Sequence, residues 1–119
     1  MAFVPGPLSA AALNAALGLT AETTFTTTVP AGDGWYRMAG SLVEVHWVSS
    51  GTVAASTNVT PYVLPAGYRP DTRTAIAAAA GGASIRPAHA IVDPDGTLQV
   101  YNAHSSSTVL ECHGLFMPA

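Results

Sequence analysis

The sequence predicts an all-β fold, an antiparallel β-sandwich of jelly-roll-like type, and three observations carry that prediction. About seven or eight short β-favouring runs are separated by regular turn signals. Within one run, Val43, Val45 and Trp47 alternate with Glu44 and His46, the period-two pattern of a half-buried strand. Near the C-terminus, Asp93-Pro94-Asp95-Gly96 joins two runs as a hairpin turn, with proline where φ is preset and glycine where φ is positive.

The first stretch, residues 1–20, differs from the rest and reads as an anchor. Pro5, Gly6 and Pro7 make a rigid lead-in, and Ser9 is a good N-cap for a short helix through Leu17, with Gly18 as its stop. Leu8 is placed to staple onto Leu13, and Leu13 and Leu17 share a face. So short a helix is marginal alone and must dock on something. Leu8, Leu13 and Leu17 are therefore the expected anchor residues.

Residues 21–119 read as the head domain. Thr23 to Val29 is rich in Thr and Phe, which favour strands. Pro30-Ala31-Gly32-Asp33-Gly34 reads as a turn. Trp35 to Ser49 follows as one long strand or two strands broken near Gly40, and Thr52 to Val63 gives another strand or two. Leu64 to Pro70 holds two prolines, which a central strand does not tolerate. Thr72 to Ala79 is a strand of small residues, and Gly81-Gly82 a turn. Ala88–Val92 and Thr97–Tyr101 form the hairpin, Asn102–Ser107 a polar loop, and Thr108–Met117 the last strand.

Composition narrows the function classes. Charged residues make up 9% of the 119, against about 25% in an average domain. There is no lysine, and only Arg37, Arg69, Arg73 and Arg86 are basic. So few charges over so much apolar surface point to cover by identical copies or a larger assembly. A net charge of -3 without a basic cluster argues against nucleic-acid binding. No apolar run reaches the roughly 20 residues that span a bilayer, and no signal peptide is evident at the N-terminus. The expectation is a chain made in a cytoplasm and not inserted in a membrane. Cys112, the single cysteine, offers no disulfide framework and reads as a small buried side chain.

The stretch Leu64-Pro65-Ala66-Gly67-Tyr68-Arg69-Pro70 resembles the LP-x-GYRP element of bacteriophage tail-fibre tips and receptor-binding proteins. In that family a strand of small residues, a DGT-type hairpin and a last strand ending in an aromatic follow. The matching pieces here are Thr74–Ala79, Asp95–Val100 and Val109–Phe116, so the resemblance covers roughly residues 40–116. Val4 to Asn14 also resembles the lead-ins of phage tail and fibre proteins. The resemblance implies a homotrimer of β-sandwich heads on a virion, mounted on other virion proteins through the N-terminal segment and attaching to a host surface receptor such as a cell-wall glycan. Three copies would bury small-residue faces such as Thr74–Ala79 against one another, which also hides edge strands. A second reading is a capsid decoration or head-fibre protein that covers the shell without binding a receptor.

Chemistry-bearing constellations are sparse. His46, His89, His104 and His113 lack metal-ligand spacing, and a zinc site needs about four converging ligands. Ser105–Ser107 beside His104 lack a glycine elbow, and Asp93 and Asp95 are explained by the turn. Glu44 and Glu111 could face each other across strands, but like charges there would be exposed and screened. No enzyme, cofactor or metal site is therefore expected. For recognition, exposed aromatics with polar partners are the candidates: Trp35, Tyr36, Tyr62, Tyr68 and Tyr101. Tyr101, Asn102 and His104, near the polar loop, are the expected receptor-binding residues, and Tyr68 and Arg69 are further candidates. Tyr68 and Arg69 also have a structural reading, as staples of the loop between strands.

Overall fold

A computed structural model describes residue 12, residues 18–81 and residues 86–119. The expected N-terminal helix, with Leu8, Leu13 and Leu17, lies outside the described residues. The described residues form eight strands: β1 (Thr23–Thr28), β2 (Ala31–Ala39), β3 (Leu42–Ser49), β4 (Thr57–Val63), β5 (Thr74–Ala80), β6 (Arg86–Val92), β7 (Thr97–Asn102) and β8 (Leu110–Phe116).

All pairings are antiparallel, in the order β1-β2-β3-β8-β5-β6-β7-β4. The all-β antiparallel expectation thus matches the chain. The layout is one continuous sheet curled into a nearly closed barrel, where the sequence suggested two packed sheets. β5 is the reason for continuity: its second half pairs with β8 on one side while its ends pair with β6 on the other. The order β8-β5-β6-β7 is a Greek key, three successive strands with the next returning beside the first.

The core fills the barrel from alternating positions. Val43, Val45, Trp47, Leu64, Val92, Leu98 and Val100 have no exposed surface. Each such side chain contributes about 1.5–3 kcal/mol of burial. The Trp47 indole N–H donates to Thr27 Oγ1 at 3.2 Å, so its polar edge is satisfied inside. Cys112 is buried there too, and burial pushes its thiol up to about 12.

One expected turn is in fact strand. Gly32 and Gly34, taken as turn residues, lie within β2, and the chain turns at Val29–Pro30 instead. The two glycines are there for space. A Cβ on Gly32 would sit 2.9 Å from the Trp47 indole nitrogen, and one on Gly34 would sit 2.3 Å from the Phe25 ring. The run Trp35–Ser49 does break near Gly40, which has φ 64 between β2 and β3.

The strand directions sort the connections into two ends. One end gathers Gly18–Thr20, the β2–β3 turn, the stretch after β4, the β6–β7 turn and Ala119. The other gathers the β1–β2 turn, the loop between β3 and β4, and the loop between β7 and β8.

Candidate functional site

The five residues expected to bind a receptor do not form one site. Tyr68 and Arg69 lie at the first end, and Tyr101, Asn102 and His104 at or near the second. At the first end, Leu64 is fully buried and its N–H donates to Gly96 O at 2.8 Å. Arg69 Nε donates to Leu64 O at 2.8 Å, and Arg69 O accepts from Ala119 N–H at 2.8 Å. Tyr68 packs edge-on against Tyr36, with ring centroids 4.7 Å apart. Gly96, at φ 90, lies beneath this loop, and a Cβ there would sit 2.3 Å from Leu64 O and 2.8 Å from Arg69 Nε. Tyr68 and Arg69 therefore hold the loop, the hairpin turn and the chain's last residue together.

At the second end Asn102 is fully buried, which removes its side chain from any recognition surface. Its amide Nδ2 donates to Val53 O (2.9 Å), Ala54 O (3.1 Å) and Ser106 O (3.1 Å), and its Oδ1 accepts from His104 N–H at 2.9 Å. It organises both loops. The His104 ring nitrogen Nδ1 accepts from Ser106 N–H at 3.0 Å and lies 2.8 Å from Ser106 Oγ, a local lock on the polar loop. Tyr101 points to the outer surface and stacks on His89 with centroids 6.2 Å apart.

A third arrangement gathers more functional groups than either end. The register aligns Thr24, Trp35, His46, His113 and Ala77 in one row across β1, β2, β3, β8 and β5. All five lie on the outer face, because Val45, Trp47 and Cys112 beside them point inward. The adjacent row is Thr26, Asp33, Val48, Glu111 and Ala79. Trp35 stacks on His46 (5.6 Å) and meets His113 edge-on (6.1 Å). Two hollows of about 490 Å³ and 320 Å³ flank His46, which lines both. The first is bordered by Asp33 and Trp35, the second by Glu111 and His113.

On the other side of that row, Glu44 binds Arg37 Nε at 2.6 Å and His113 Nε2 at 2.8 Å. Arg37 also lies 3.7 Å from Glu22 and 5.1 Å over the Trp35 ring. Burial pushes the Glu44 carboxyl up, but the hydrogen bonds and charges of Arg37 and His113 outweigh it and hold it below its usual value. Glu44 and Glu111, expected as a facing pair, are not opposite one another: Glu44 faces Leu115 and Glu111 faces Val48. Among the described residues no group of three metal-ligating side chains converges, and no helix is long and apolar enough to cross a membrane.

Trp35 stood among the sequence candidates. His46 and His113 stand out in the sequence only as possible metal ligands. The alternation around Val43–Trp47 already turned His46 outward; what the sequence lacked was the pairing of β3 with β8, 67 residues apart at His46 and His113. Compared with known proteins, the chain matches no family model and no curated sequence.

Proposed function

We propose that this chain is a non-enzymatic virion attachment module, the head of a phage tail fibre or tail tip that binds a host surface receptor as a homotrimer. The observation that carries the reading is the clasp of Arg69 and Leu64 over Gly96. The two segments that resemble phage fibre tips, Leu64–Pro70 and Asp95–Val100, are far apart in sequence and interlock in space. The shared motif is then a fold signature, held by sterics and hydrogen bonds, and not a binding motif.

The two-ended layout suits a mounted head. In this reading the N-terminal segment, the anchor with Leu8, Leu13 and Leu17, meets the virion at the end where Gly18 enters and Ala119 leaves. The opposite end and the outer faces remain for the receptor. Val63, Leu115 and Met117 are exposed apolar side chains toward the mounted end. Around the trimer's threefold axis each barrel serves as a flattened jelly-roll-like sandwich. Three weak sites per trimer and many trimers per particle give avidity without new contacts.

The test combines light scattering with adsorption of the purified protein to host cells. A mass of three subunits and saturable cell binding are expected. A monomer at all concentrations, or binding to emptied capsids in place of cells, would overturn the reading, the latter in favour of a capsid decoration protein.

A further inference from the structure

The groove centred on His46 has a composition that selects a ligand. Its floor is made of side chains on β2, β3 and β8, internal strands whose backbone groups are already paired, while Thr24, Phe25 and Thr26 of the edge strand β1 border the first hollow. A peptide adding itself as a strand finds an edge only along β1, at one rim and three strands away from Glu111, and so spans neither the floor nor the second hollow. The groove must instead be read by side chains: an indole, two imidazoles, threonine hydroxyls and two carboxylates.

The charges are one-sided. Asp33 borders one hollow and Glu111 the other, both exposed, and no arginine or lysine pairs with either among the described residues. Arg37, two residues beyond Trp35 on the same strand, is held by Glu44 and Glu22. Asp33 and Glu111 both face Val48, one strand away on each side, so their backbones stand about 10 Å apart. Their complement is a hydroxylated chain that carries amino groups at intervals.

We propose that the His46 groove binds an amine-bearing oligosaccharide, with Asp33 and Glu111 each taking one ammonium group and Trp35, His46 and His113 lining the sugar path. This inference rests on the attachment reading and names its ligand class.

The test titrates the full chain with a glucosamine tetramer, its fully N-acetylated counterpart and tetralysine, following the His46 and His113 ring resonances. The glucosamine tetramer is expected to bind and to weaken as salt rises. Asp33→Asn with Glu111→Gln, both exposed and near-isosteric changes, is expected to weaken it about tenfold. Val48→Arg, which puts a cation between the two hollows, is expected to abolish it. Equal binding of the acetylated tetramer or of tetralysine, an unaffected double variant, or no binding of the glucosamine tetramer would each overturn the proposal. Cell adsorption of the same proteins separates the two readings. If the parent chain adsorbs and the double variant adsorbs equally, only the groove assignment fails. If the parent chain does not adsorb, the attachment reading fails.

Discussion

Phe25 and Tyr62 stack face to face, with ring centroids 3.8 Å and planes 7° apart, across the seam between β1 and β4. These strands are the two ends of the sheet order and share no ladder. Side chains close the barrel where hydrogen bonds do not. Tyr36 and Tyr68 extend the cluster beneath them. β4 also carries Pro61 and a register shift between Val59 and Tyr62, both of which blunt an edge.

Phe25→Ala is expected to cost about 3 kcal/mol, as for other buried aromatics, and Phe25→Leu less. Urea unfolding gives the loss. Amide exchange should quicken first in β1, whose only ladder among the described residues is to β2. Uniform acceleration across all eight strands would show that the seam is not a separate unit.

The clasp predicts coupling between distant segments. Gly96→Ala forces a side chain into positive φ against Leu64 O and should cost about 2 kcal/mol or more. Arg69→Ala strips a hydrogen bond from Leu64 O and should cost about 1–3 kcal/mol. Because both disturb one contact, the double variant should lose less than the sum of the two. Strict additivity in denaturant melts would argue against the clasp.

Asn102→Asp is expected to be worse than Asn102→Leu. The aspartate puts an oxygen where Nδ2 now donates to three carbonyls. Leucine strips that donor from Ala54 O and Ser106 O, while Val53 O keeps its bond from Thr108 N–H, at about 2–3 kcal/mol in all. Both changes should loosen residues 53–56 and 103–108, read by proteolysis of the two loops.

Glu44 predicts an acid dependence. Its carboxyl is held below the usual 4.5 in the folded chain, so it binds protons less readily there than when unfolded. Its contribution is therefore complete above about 4.5 and is lost as pH falls through the lowered folded value. Glu44→Gln should melt lower than the parent at neutral pH, by about 1 kcal/mol, and the gap should close in acid. A gap that persists at low pH would assign the effect to packing.

Much of the fold was legible because local chemistry reports it. Alternation marked Val43–Trp47 as a strand with one buried face, and Asp93–Gly96 could be only a turn. The composition likewise set the scarcity of charge and the lack of a basic cluster along the sequence. Tertiary structure decided what depends on partners distant in sequence. Gly32 and Gly34 read as turn residues until Trp47 and Phe25 came to lie over them. Asn102 read as a surface amide until the loops around Val53 and Ser106 closed over it. His46 and His113 became neighbours only through the pairing of β3 with β8. A strand's own residues fix which way its side chains alternate, whereas the pairing of whole strands fixes which side chains meet.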